Sequence, residues 1–175
     1  DQNKASYKIE IDKDKTILGL NKFSLIKPRA RNYIHEWLYH QFMKEGSLIK
    51  LKYEFVKLKI NGEGQGLYVV EEGFDKILIE RNKRRNGPIF SVNEEWTTLL
   101  SNNSDKEILF EVYNKRNWLS QENFQLTLLA NNLLKNFFNG KEDMENLFDV
   151  DKWAWFMAAS DINYYVHGNE VKSVK

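Results

Sequence analysis

The sequence predicts an α+β fold, with strands gathered in residues 1–72 and helices dominating 73–175. Two periodicities and one turn signal carry that expectation. Residues 6–11 alternate polar and apolar side chains, the period of a half-buried strand. Residues 30–45 and 121–138 repeat apolar side chains at three- and four-residue steps, the spacing of a helix face. Asn61-Gly62, set between two runs rich in Tyr, Phe and Val, is the strongest short hairpin signal available. The chain has 175 residues, 42% of them hydrophobic, enough for one domain or for two small lobes sharing a cleft.

Taken in order, residues 6–11 read as a strand and 12–15 as a charged turn. Short strand pieces follow at 16–20 and 22–26, around Gly19. Pro28 ends that run, because the residue before a proline avoids helical backbone. In 30–45 the stripe is Ile34, Trp37, Leu38, Phe42 and Met43, and Gly46 stops the helix. The strand at 51–60 switches apolar parity between Phe55 and Val56, which predicts a bulge there. Its return, 66–72, puts Leu67 and Val69 on one face and Tyr68 and Val70 on the other, as in a central strand. A short helix is expected in 74–81, a basic loop in 82–88 and a strand at 89–92. The stretch to residue 105 reads as irregular, and 106–118 leans helical. The helix at 121–138 carries Leu129, Leu133, Leu134 and Phe137 and closes at Asn139-Gly140. Asp149 or Asp151 caps an aromatic helix at 152–159, a polar loop spans 161–169, and a strand starts at Val171. No repeat is found.

Composition excludes several functions. Lys plus Arg total 26 against 25 Asp plus Glu, a net charge of +1, unlike the strongly basic domains that bind nucleic acid. With no cysteine there is no disulfide scaffold, thiolate metal site or cysteine nucleophile. No apolar run approaches the roughly 18 residues that span a bilayer. Both ends look cut, so the chain is expected to be a piece of a longer one.

No Walker loop, zinc spacing, nucleophile elbow or complete dinucleotide fingerprint is present. Gly62-Glu63-Gly64-Gln65-Gly66 is glycine-rich, but a hairpin turn explains it better than a phosphate loop. The order of elements is more informative. A strand lysine, a helix glutamate, a hairpin and a crossover into helices is the layout of a protein-kinase-like first lobe, where a helix carboxylate orients a phosphate-binding lysine. Lys8 and Glu36 are the residues so placed. The plainer alternative is a solvated Lys8 and a Glu36 paired locally with His40.

The residues also resemble the CotH kinase family, the spore-coat-protein-H-like atypical kinases. The resemblance rests on 18–25, on 31–38 with Arg31, Tyr33, His35 and Glu36, and above all on 55–76. There Ile60-Asn61-Gly62, Gly66-Leu67-Tyr68, Glu72 and Asp75-Lys76 match the family's INGxxxGLYxxxExxDK pattern. Residues 82–89 resemble one branch of the family, weaker likeness resumes at 148–153 and 161–175, and 93–145 carry little.

What the resemblance implies is transfer of phosphate from ATP, with Mg2+, to Ser or Thr hydroxyls of a protein substrate. Lys8 would meet the nucleotide phosphates and Glu36 would orient it, with Glu45 and Glu54 as rivals for that role. Glu72 would mark the adenine-binding crossover, through its backbone rather than its side chain. Asp161 would be the catalytic base, with His167 a rival for that place in the loop, and Asn169 would help hold magnesium. The family's second metal-binding aspartate is expected beyond Lys175, so this stretch alone is expected to transfer phosphate poorly or not at all. If His167 holds the loop position, the domain becomes a non-catalytic binding or assembly module at a cell surface or coat. An exported, coat or cell-surface location follows from the same resemblance. Two further signals remain: Lys83-Arg84-Arg85, a solvated turn or a polyanion-binding surface, and the aromatics Trp153, Trp155, Phe156, Tyr164 and Tyr165, a stacking platform or helix packing.

Overall fold

The computed structural model describes residues 6–12, 15–92 and 110–163. The chain divides into two compact units, Asp1–Arg85 and Asn86–Lys175. The architecture is α+β, as predicted, with a sheet and a helix first and mostly helices afterwards.

In the first unit a four-stranded antiparallel sheet is built from β1 (Tyr7–Glu10), β2 (Lys22–Ile26), β3 (Tyr53–Ile60) and β4 (Glu63–Glu72), in the spatial order β1-β2-β4-β3. β4 is central, as its two-faced apolar pattern predicts, and Tyr68, Val69 and Val70 are buried within it. The expected strand at 16–20 is instead a tight turn. Ile17 and Leu20 exchange both backbone hydrogen bonds at 2.9 Å, and Leu18 and Gly19 between them both take positive φ. Those dihedrals suit a two-residue hairpin, and Gly19 makes the second position inexpensive. Asn61 (φ 51) and Gly62 (φ 85) form the β3–β4 hairpin as expected. The irregularity in β3 lies between Leu58 and Lys59, three residues beyond the predicted bulge. The parity switch at Phe55 does not need one, because both faces of β3 receive apolar side chains: Val56 packs on the core cluster, and Phe55 lies on the other face with its ring 6.0 Å from that of Tyr53.

Residues directly opposite each other share a face, so the register sorts the side chains. Ile9, Phe23, Leu25, Val70 and Val56 fall on one face, where Leu20 and Ile11 complete a core cluster. Lys8, Ser24, Glu71 and Tyr53 form a row across the other.

Helix α1 (His35–Glu45) packs against β3 on that second face, with the His40 and Tyr53 rings 5.6 Å apart. It starts five residues later than expected. Pro28 opens a 3-10 turn (Pro28–Arg31), and Asn32 (φ 50) and Tyr33 (φ 60) then redirect the chain before the helix begins. The buried stripe also differs from the expected one. It is Glu36, Tyr39, His40 and Met43, while Ile34, Trp37 and Leu38 are exposed. Positions 36, 39, 40 and 43 have equally good helical spacing. Met43 belongs to both stripes, and the polar tips of Glu36, Tyr39 and His40 disguise the rest in a hydropathy pattern. Helix α2 (Lys76–Arg81) is capped by the Asp75 carboxylate, which accepts from the Leu78 N–H at 3.1 Å, and buries Leu78 and Ile79.

In the second unit, β5 (Phe90–Val92) pairs antiparallel with β6 (Phe110–Val112). Within the stretch that leans helical in the sequence, residues 110–118 hold a strand followed by the short helix α3 (Lys115–Trp118), so the helical leaning is met only in those last four residues. Phe110 and Val112 flanking Glu111 have the two-residue period that the longer window obscures. Next come α4 (Phe124–Phe138), α5 (Met144–Leu147) and α6 (Val150–Ile162). Asp149, not Asp151, caps α6 by accepting from the Lys152 N–H at 3.2 Å. Among the described residues no helix is long and apolar enough to cross a membrane.

Candidate functional site

The two faces of the first sheet divide its acidic groups: Glu72 falls on the face of the core cluster, while Glu71 and, on the helix above it, the buried Glu36 belong to the second. Arg31 leaves the 3-10 turn toward β4 and grips Glu71 with two nitrogens, Nε at 2.8 Å and Nη2 at 3.1 Å. The turn is placed by chemistry already in the sequence: Lys27, before Pro28, is extended, and Pro supplies the φ of a first helical position. Lys8 lies in the same row as Glu71, on edge strand β1, and is exposed.

Glu36 and His40 occupy successive turns of α1, on its buried side. Glu36 Oε1 is 3.6 Å from His40 Nε2. Burial, and then the charges of Lys50 and Arg81, lower the His40 pKa to about 4, so the imidazole is neutral near pH 7. The contact is therefore a carboxylate beside a neutral ring, not an ion pair. Neither His40 nitrogen nor the Tyr53 hydroxyl has a hydrogen-bond partner among the described residues. Burial, followed by the negative charges of Glu36 and Glu71, raises the Tyr53 pKa and keeps its proton in place. Lys8 and Glu36 thus address the same face of the sheet from opposite edges, Lys8 from β1 and α1 from against β3. Glu45 is exposed near the end of α1, and Glu54, exposed on the other face, lies 3.5 Å from Lys52. Of the three helix-partner candidates, Glu36 alone is buried beneath α1.

At the end of β4 the Glu72 side chain is buried. It accepts from the Arg81 guanidinium through both oxygens, and from the Lys52 N–H at 2.6 Å. Its own N–H donates to the Lys52 carbonyl at 3.0 Å. Gly73 follows, its N–H on the Lys22 carbonyl at 3.0 Å. A Cβ at position 73 would sit 2.9 Å from Lys22 Cγ and 3.1 Å from the Lys22 carbonyl oxygen, so glycine is what lets β4 finish against β2.

Asp161 is exposed in the last turn of α6, inside the helix and not in the loop expected from 161. His167, Asn169, Tyr164, Tyr165 and the strand at Val171 lie outside the described residues. Among the described residues no three His, Cys, Asp or Glu side chains converge as a metal-binding group. The aromatics Trp153 and Phe156 pack on their neighbours, with ring centroids 5.0 Å from Phe148 to Trp153 and 5.7 Å from Trp153 to Phe156. Phe137 extends that line, 5.1 Å from Phe148.

Sequence reading missed two ion pairs, Arg31–Glu71 and Arg81–Glu72. A signal for the second was available, since Arg81 falls at the end of a short helix that must return toward β4. The first depends on the reversal at Asn32 and Tyr33, which no local pattern announces.

Comparison with known proteins places these features in context. The family model described as CotH kinase protein matches residues 1–165. The inner spore coat protein H of Bacillus subtilis (strain 168) is 25% identical over 179 aligned positions, covering 95% of this chain and 49% of that protein. The chain spans about half the length of the curated relative it matches.

Proposed function

The chain belongs to the CotH kinase protein family, and from that premise we propose that the whole protein is an ATP-dependent phosphotransferase acting on Ser or Thr hydroxyls of a protein substrate. In this reading the first unit supplies the sheet and helix that order the nucleotide's phosphates. The observation that carries it is the shared face: a buried helix glutamate, Glu36, and an exposed strand cation, Lys8, both belong to the side of the sheet that α1 covers. Phosphoryl transfer rests mainly on positioning and charge neutralisation, which such a face can provide. Lys8 is the proposed phosphate cation and Glu36 the carboxylate that shapes its field. The Glu72 side chain is taken up by Arg81 and Lys52, and the N–H groups of Glu72 and Gly73 by the Lys52 and Lys22 carbonyls, so the proposed adenine contact falls to main-chain groups of the crossover other than those two donors.

Magnesium prefers near-octahedral oxygen donors and is commonly held by one or two carboxylates plus substrate phosphates. Among the described residues no three His, Cys, Asp or Glu side chains converge, so a magnesium ion here would rely on one or two carboxylates and the substrate's own phosphates. Asp161 is the proposed base, and Asn169 the proposed metal contact.

A second reading, a non-catalytic binding or assembly module, is favoured by one feature. The carboxylates of Glu71 and Glu72, on opposite faces of β4, are already held by Arg31 and Arg81, as in a sheet built for rigidity. The name of the relative, a spore coat protein, suits a coat or surface setting for either reading.

A thermal-shift titration of the full-length protein with ATP and magnesium separates them. The enzyme reading predicts a saturable rise in melting temperature that Lys8→Ala abolishes, together with transfer of labelled phosphate to a protein acceptor. No shift and no transfer would leave the module reading standing.

A further inference from the structure

The basic loop 82–85 is not a bare solvated turn. It is clasped to the segment between α1 and β3 by side-chain bonds on both sides. Asn82 brackets Lys50, its Oδ1 accepting from the Lys50 N–H at 3.0 Å and its Nδ2 donating to the Lys50 carbonyl at 3.1 Å. Arg81 Nη2 donates to the same carbonyl at 2.7 Å, and Arg84 Nη2 donates to the Ser47 carbonyl. This stitching draws Lys44, Lys50, Lys83, Arg84 and Arg85 into one neighbourhood. Among the described residues, none of these five makes an ion pair. Burial, and then the charges of Lys44 and Arg81, lower the Lys50 pKa, so part of the shift comes from neighbouring cations.

We propose that this clasp, formed by 47–50 and 81–85, is a docking surface for an acidic protein segment. Charge complementarity selects the sign of the partner. Lys83, Arg84 and Arg85 are exposed, and a guanidinium carries five N–H donors, so Arg84 retains donors for carboxylates after binding Ser47. Ile49 selects the class. It is 44% exposed beside Lys50, an apolar side chain within the basic surface. A peptide can offer both carboxylates and apolar side chains to such a surface. A single-stranded nucleic acid would instead seek aromatic platforms for its bases, and the sequence-independent affinity of any nucleic acid would call for a wider basic footprint than a chain of net charge +1 presents. The inference stands apart from phosphotransfer, and its readout is binding alone.

The test is fluorescence anisotropy of the full-length protein with a labelled peptide alternating Glu and Leu, against a control of Gln and Leu and a single-stranded oligonucleotide of equal charge. The acidic peptide should bind at least about tenfold more tightly than the Gln control. It should weaken as salt rises past 0.1 M, where screening acts within about 10 Å. Lys83→Glu/Arg85→Glu, which removes no bond of the clasp, should cost about tenfold, and Arg84→Glu at least as much. Should Arg84→Glu fail to fold, the Lys83→Glu/Arg85→Glu pair decides the matter. Equal binding of the Gln peptide, unchanged affinity in that pair, or tighter binding of the oligonucleotide overturns the proposal.

Discussion

Arg31 and Glu71, 40 residues apart in the chain, meet through two side-chain hydrogen bonds of 2.8 and 3.1 Å. The pair ties the 3-10 turn that follows β2 to the central strand, and so fixes where α1 begins. A guanidinium fork suits this role because it engages both carboxylate oxygens at once, which an ammonium cannot do in the same geometry.

Removing either partner should therefore cost stability through the other. The Arg31 side chain is 41% exposed, so the loss is at the low end for a charged hydrogen-bonded pair, about 1 kcal/mol for Arg31→Ala. Glu71→Gln should cost a similar amount, and the double variant less than the sum. Urea unfolding of the four proteins tests this, and strictly additive losses would show that the two side chains act independently.

His40 gives the first unit an acid sensitivity. Its folded pKa of about 4 lies below the ordinary value of 6.5, so the unfolded chain takes up this proton first as pH falls. The corresponding stability is whole above pH 6.5 and is lost between there and about pH 4, by about 3 kcal/mol. His40→Gln should flatten the stability profile in that window while leaving the carboxylate-driven loss at lower pH. A profile unchanged by the substitution would mean that His40 is solvated in the native state.

Much of the fold was legible in the sequence, because strand alternation and the Asn61-Gly62 turn are local signals. β2 occupies 22–26 as predicted, and β4 is central for the reason given by Tyr68, Val69 and Val70. What was not legible depends on partners distant in the chain. The orientation of α1 is the clearest case: Trp37 and Leu38 are the more hydrophobic choice, yet the sheet receives Tyr39, His40 and Met43. The polar atoms of Glu36, His40 and Tyr53 gather on the sheet, so the site hides among residues that a hydropathy pattern assigns to the surface. Asp161 was misplaced for a simpler reason. Nothing at 160–162 breaks a helix, and α6 runs through it.

The orientation of α1 has a direct mutational test. Met43→Glu places a charge where 3% of the residue is exposed, and should unfold the first unit or cost more than about 3 kcal/mol. Trp37→Glu, at 39% exposure, should cost about 1 kcal/mol or less. Thermal melts of the two variants decide it, and the reverse order of damage would mean that the helix presents its other side to the sheet.

Position 73 sets a limit of its own. With the Lys22 carbonyl oxygen 3.1 Å from where a methyl group would stand, the seam between β2 and β4 is gauged by a hydrogen atom. Any larger residue there must pry those strands apart or bend the chain's exit from the sheet. The direction in which the polypeptide leaves β4 is thus dictated by the strand beside it, whatever segment comes next.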